Sequence, residues 1–139
     1  MDSICNLSHK EGNPRNSEGS FVRLKDGRIL FVYTRYRGNS WDDHATADLA
    51  AKYSSDNGCT WSEEDTIVIP NDSLNLMSVS LLRLQDGRIA LLNLRKSGFE
   101  NGGVDCRPWI RFSSDEAKTW SQPIDITKLP PSYLVVNND

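Results

Sequence analysis

Two different motifs recur in the same order, at one spacing, along this 139-residue chain. Residues 23–35 read Arg-Leu-Lys-Asp-Gly-Arg-Ile-Leu-Phe-Val-Tyr-Thr-Arg. Residues 83–95 answer with Arg-Leu-Gln-Asp-Gly-Arg-Ile-Ala-Leu-Leu-Asn-Leu-Arg, an offset of 60. Residues 54–61, Ser-Ser-Asp-Asn-Gly-Cys-Thr-Trp, return as Ser-Ser-Asp-Glu-Ala-Lys-Thr-Trp at 113–120, an offset of 59. A unit repeated in this way cannot bury its apolar face alone, so neighbouring units must stack on one another.

Each unit reads as four short strands. Asp26-Gly27 and Asp86-Gly87 sit between apolar runs, which is a hairpin signature. They predict strands near 20–24 and 28–35, and near 78–84 and 88–95. A third and a fourth strand follow near 47–54 and 65–69, and again near 107–113 and 123–126. Ile29 to Tyr33 and Ile89 to Leu92 are apolar without alternation, as expected of strands covered on both faces. No segment keeps a helical period. Repeated units of four antiparallel strands describe the blades of an all-β propeller, with units at about 15–70 and 74–128 and a third beginning after 130.

Composition narrows the function classes. Hydrophobic residues at 37% and charged residues at 25% suit a packed domain and not a disordered chain. The 16 Lys and Arg against 19 Asp and Glu lack the basic excess of a nucleic-acid binder. No apolar stretch approaches the roughly 20 residues that span a bilayer. The opening residues lack the basic start and apolar core of a signal peptide, so the chain as written reads as cytoplasmic. Cys5, Cys59 and Cys106 show no ligand spacing and His9 lies far from His44, so neither a disulfide framework nor a metal or other cofactor is expected.

Topology gathers the charged candidates. In an up-and-down blade, the loop before the first strand and the loop between the second and third share one end. Arg15 lies in the former, and Arg35, Arg37, Asp42 and Asp43 lie at or in the latter. The Asp-Gly turns and both octets belong to the opposite end. Guanidinium forks bind carboxylates, and a carboxyl group can protonate a leaving oxygen. Such a rim suits a glycosidase for an acidic sugar. Glu18 is expected to hydrogen-bond an Arg, Arg95 to bridge blades, His44 to be structural and Trp41 to pack.

Residues 54–61 resemble an Asp-box, the repeat signature of sialidases and of some other propellers. There Ser54 and Asp56 close the turn, Gly58 supplies a positive φ, and Trp61 folds back as an apolar plug. Ser113, Asp115 and Trp120 repeat the pattern, with Ala117 in the glycine position, and both Trp61 and Trp120 are expected in the core. If Ala117 shares the backbone of Gly58, Ala117→Gly should be stabilising. The run Asn13-Pro14-Arg15-Asn16-Ser17-Glu18-Gly19 before a Lys-Asp-Gly-Arg hairpin is similar to bacterial exo-α-sialidases.

The resemblance implies a six-bladed propeller acting on a sialylated or other acidic glycan. By it, Arg15 and either Arg35 or Arg37 clamp the substrate carboxylate, Glu18 assists binding, and Asp43 or Asp42 is the acid/base. Arg15 is followed by Asn16-Ser17 and not by the family's Ile-Pro, which keeps open a propeller glycosidase for a different sugar. A noncatalytic glycan-binding or scaffolding propeller is the other alternative. Two units do not close a ring of about four to eight blades, so the chain reads as part of a longer propeller.

Overall fold

The computed structural model describes residues 5–99 and 102–136. Residues 1–4 of the opening segment and 137–139 of the expected third unit lie outside the described residues. Eight strands follow one another: β1 (Asn16–Arg23), β2 (Ile29–Tyr36), β3 (Ala47–Ser54), β4 (Thr66–Ile69), β5 (Asn75–Arg83), β6 (Ile89–Gly98), β7 (Val104–Ser113) and β8 (Ile124–Asp125). They form two four-stranded sheets, β1-β2-β3-β4 and β5-β6-β7-β8, antiparallel throughout.

β1 and β5 begin earlier than the hairpin pattern indicates. The register slips between Ser17 and Gly19 in β1, and between Met77 and Ser80 in β5. At these two bulges, equivalent across the repeat, Glu18 and Ser78 take positive φ angles of 21° and 53°. A bulge leaves one residue unpaired and breaks the period-2 alternation, which hides the true strand start from pattern reading. Gly19 completes the first bulge, because any side chain there would collide with the Phe31 ring and the Val32 carbonyl.

The sheets stack front to back. Leu30 and Val32 of β2, with Leu49 and Ala51 of β3, meet Leu76 and Val79 of β5 and Ile89 and Leu91 of β6 in one buried core. Phe31 and Leu91 occupy equivalent repeat positions, yet Leu91 lies in that core while Phe31 faces away from it. Phe31 instead stacks on Phe21 at 4.3 Å, and Phe21 is 56% exposed. Each sheet therefore presents opposite faces to its two sides, as adjacent blades do. Truncating a core side chain such as Leu91 to Ala would cost about 2–5 kcal/mol.

Both octets fold into the same turn. Ser54 Oγ donates to Asp56 Oδ1 at 2.8 Å and accepts the Gly58 N–H at 2.8 Å, while Asp56 accepts the Thr60 N–H and hydroxyl at 2.8 and 2.6 Å. Ser113, Asp115, Ala117 and Thr119 repeat these bonds within 0.1 Å. This bonding holds the carboxyls of Asp56 and Asp115 down at about 2, the Thr hydroxyl bond contributing most. Trp120 packs against the inter-sheet core. Trp61 does not pack into that core, contrary to the expectation for it: it lies half-buried on the outer face of the first sheet beside Phe21 and Phe31, a face that no sheet among the described residues covers.

Candidate functional site

Asn13 fixes the approach to the first strand. It is 2% exposed, and its Nδ2 donates to the carbonyls of Arg15 at 3.0 Å and Tyr36 at 2.9 Å. The Tyr36 N–H adds a bond of 3.0 Å to the Arg15 carbonyl. Arg15 is thereby set at the mouth of β1, with its guanidinium 4.7 Å above the buried Tyr36 ring. Its Nη1 reaches across to the loop between β2 and β3, donating to Asp43 Oδ1 at 2.6 Å and to the Trp41 carbonyl at 3.0 Å. Residues 28 positions apart in sequence are joined on one rim by this contact.

The pairing favours the charged form of both partners. The hydrogen bond from Arg15 pulls the Asp43 carboxyl below the usual carboxylate range, and the charges of Arg15, Lys96 and His44 add to the effect. The same bond raises the Arg15 guanidinium above its ordinary value. Asp42 is turned inward on its own loop, where Oδ1 accepts the His44 N–H at 2.8 Å. Glu18, on its bulge, receives the Ser78 hydroxyl at 3.3 Å and faces Arg15 only through space. Trp41 is 70% exposed, so packing does not account for it.

The other two candidate arginines pair with carboxylates other than Asp43, Arg35 mostly buried and Arg37 half-exposed. Arg35 Nε donates to Asp65 Oδ2 at 3.1 Å, and Asp65 also accepts from Tyr33 and Lys52. This cluster lies on the outer face of the first sheet, away from Asp43. Its repeat equivalent Arg95 pairs with Asp72 at 3.2 Å and lies over the Trp109 ring. Arg37, which follows β2, donates to the buried Asp48 at 2.8 Å and keeps about half of its side chain exposed.

The second sheet supplies residues that the sequence reading did not single out. A cleft of about 360 Å³ beside Asp43 is lined by Glu18, Ser78, Lys96, Cys106 and Tyr133, with Met77 and Leu94 on its apolar side. Lys96 is 2% exposed, and its ammonium donates to the Asp43 carbonyl at 2.7 Å. Burial pushes the Cys106 thiol up, away from thiolate chemistry. A lysine at the repeat position that Tyr36 fills in the first unit was the available signal. Among the described residues no His, Cys, Asp and Glu cluster could hold a metal ion, and no helix is long and apolar enough to cross a membrane.

No family model matches the chain. It is 30% identical over 138 residues to a sialidase of Clostridium perfringens, covering 88% of this chain and 35% of that protein. It is 31% identical over 120 residues to a sialidase of Paraclostridium sordellii, covering 78% and 29%. The chain thus spans about a third of the length of the curated relatives it matches. Among solved structures, the Hadza microbial sialidase Hz136 superposes with a TM-score of 0.66 at 22% identity, over 87% of this chain and 28% of that one. A protein of unknown function from Dyadobacter fermentans gives 0.70 at 20% identity, over 84% and 37%. Two stacked four-stranded sheets and these relatives together make the chain a member of the sialidase-like superfamily, with the fold of a partial β-propeller.

Proposed function

We propose that this chain contributes the carboxylate clamp and the acid/base of an exo-α-sialidase-like glycoside hydrolase that releases a terminal acidic sugar. The observation that carries the reading is the Arg15–Asp43 contact at 2.6 Å, made across 28 residues on one rim. Arg15 grips the sugar carboxylate with the guanidinium N–H groups that Asp43 and Trp41 leave unused. Arg37, half-exposed, is the second cation of the clamp, and Arg35 is held by Asp65. Trp41 offers an exposed aromatic face to a sugar ring. The two octets act as Asp-boxes that hold the sheets and take no part in chemistry.

A general acid must carry a proton near neutral pH, whereas Arg15 holds the Asp43 carboxyl low. The substrate itself resolves the conflict. Its carboxylate competes for the Arg15 fork and brings a like charge close to Asp43, and both effects raise the pKa of Asp43. Proton donation is then switched on by binding. The depressed pKa of the free site equally suits the second reading, a propeller that binds acidic glycans without cleaving them.

Turnover separates the two. Hydrolysis of a fluorogenic sialoside is compared with that of its methyl ester in the whole protein that carries this chain, as wild type, Arg15→Met and Asp43→Asn; residues 1–139 alone are expected to be inactive. Arg15→Met is expected to raise KM for the acid about 10- to 100-fold with little change for the ester, and Asp43→Asn to lower kcat by about 10²-fold or more. Sialoside binding without turnover would favour the lectin-like reading. Equal use of acid and ester by the wild type would overturn the clamp.

A further inference from the structure

The loop carrying Asp42 and Asp43 is closed by its own local bonds, which by themselves do not tie it to the second sheet. Residues 37–44 are exposed, and the bonds within the turn are local: the Asp42 N–H to Ser40 Oγ, and the His44 and Ala45 N–H groups to Oδ1 and the carbonyl of Asp42, while the Arg37 and Gly38 N–H groups tie the start of the loop to the Thr46 and Gly12 carbonyls. Three alternate carbonyls of this loop nevertheless each accept a side-chain donor from outside it. Arg15 bonds the Trp41 carbonyl at 3.0 Å, Lys96 the Asp43 carbonyl at 2.7 Å, and Asn75 the Ala45 carbonyl at 2.5 Å. Lys96 and Asn75 belong to the second sheet, are 2% and 0% exposed, and lie 53 and 30 residues from their acceptors.

We propose that Lys96 and Asn75 are positioning residues, through which the second sheet holds the Asp43 loop in register with Arg15. The inference rests on the reading of Asp43 as the acid/base. A side chain that must lie within a few tenths of an ångström of a leaving oxygen cannot ride on a freely moving loop. A buried ammonium donating to a carbonyl makes a charge-assisted bond, stronger than a neutral one and resistant to solvent screening. Its position in the repeat makes it specific. The equivalent residue of the first unit is Tyr36, whose ring supports Arg15 from below. One repeat position thus supports the clamp in one unit and the acid loop in the other.

Lys96 also adds a positive charge near the Asp43 carboxyl. The other charged or titratable groups facing that carboxyl are Arg15 and Glu18 at the start of the first sheet, and Tyr36 beneath Arg15. His44 lies on the same loop, and Cys106 and Tyr133 line the far wall of the cleft. Removing Lys96 therefore changes the titration of Asp43 as well as the mobility of its loop, a signature that a merely structural lysine would not leave.

The test uses the full chain, with Lys96→Met, which keeps an apolar stem of similar length, and Asn75→Leu. Amide hydrogen exchange of His44 and Ala45 is read beside the NMR titration of the Asp43 carboxyl and the pH profile of sialoside turnover. Lys96→Met is expected to speed exchange at both amides about tenfold or more, to move the Asp43 titration upward, and to lower kcat with a change in KM below about threefold. Asn75→Leu is expected to speed the same amides while leaving the titration in place, and it decides the question by itself if Lys96→Met does not fold. Exchange and titration unchanged from wild type in the folded variants would overturn the proposal. Absence of turnover in the whole protein that carries this chain would remove the enzymatic reading alone, because exchange and titration test the hold on the loop without any activity.

Discussion

Ala117 holds a backbone that the first repeat gives to glycine, with φ of 65° against 91° at Gly58. An L-residue there is strained by about 1–2 kcal/mol, so relief of strain alone would make Ala117→Gly stabilising, as the sequence suggested. The structure adds two opposing terms. Ala117 is 6% exposed and its methyl belongs to the inter-sheet core, a contribution of about 0.8 kcal/mol. Glycine also loosens the unfolded chain by about 0.4–1 kcal/mol. The terms nearly cancel, and Ala117→Gly is expected to lie within about 0.5 kcal/mol of wild type. Gly58→Ala differs, because its new methyl would meet only Trp61 Cζ2, at 3.7 Å on the outer face. Strain then outweighs the unfolded-state gain, and a loss of about 0.5–1 kcal/mol is expected. Urea unfolding followed by tryptophan fluorescence measures both. A gain above about 1 kcal/mol for Ala117→Gly would show that the methyl contributes nothing to the core, and a loss above about 1 kcal/mol would show that the turn is unstrained.

Glu116 takes a bidentate bond from Arg83, at 2.6 and 2.7 Å, and the Lys25 N–H at 2.7 Å, tying the second octet to both hairpin turns. Arg83 holds its carboxyl at about 2 against an ordinary 4.5. The folded pKa is depressed, so the stabilisation is complete above about pH 5 and is lost as pH falls through 2. Glu116→Gln is expected to cost about 1–2 kcal/mol at pH 7, discounted for partial exposure, with the difference from wild type fading below pH 4 in acid-unfolding curves. Asp65→Asn removes the charge that Arg35 and Lys52 share, at 3.1 Å each. It is expected to lower stability by about 2–4 kcal/mol in urea unfolding. Arg35→Met should lower stability with no effect on sialoside KM, the reverse of Arg15→Met.

What the sequence makes legible follows from which interactions are local. The octets, the Asp-Gly turns and the strand runs are written within a few residues of each other, and the repeat shows them twice, so sheet order and rim assignment can be read directly. The Arg15–Asp43 contact is also accessible, because antiparallel topology alone brings those two loops to one end. Arg35 and Arg37 show where this reasoning stops. They lie two residues apart on the same strand end, and only three-dimensional packing reveals that Asp65 takes one and Asp48 the other. Lys96 and Asn75 were hidden for a deeper reason. Their partners are backbone carbonyls, which every residue possesses, so no residue type at any spacing announces the bond. Trp61 marks the same boundary from the other side. Its octet shares the Ser, Asp, Thr and Trp of the second octet, yet Trp120 meets a neighbouring sheet while Trp61 lies on a face that no described sheet covers. A repeated sequence specifies the fold of each unit and the order of stacking; whether a given side chain is core or surface depends on what occupies the next place in the stack.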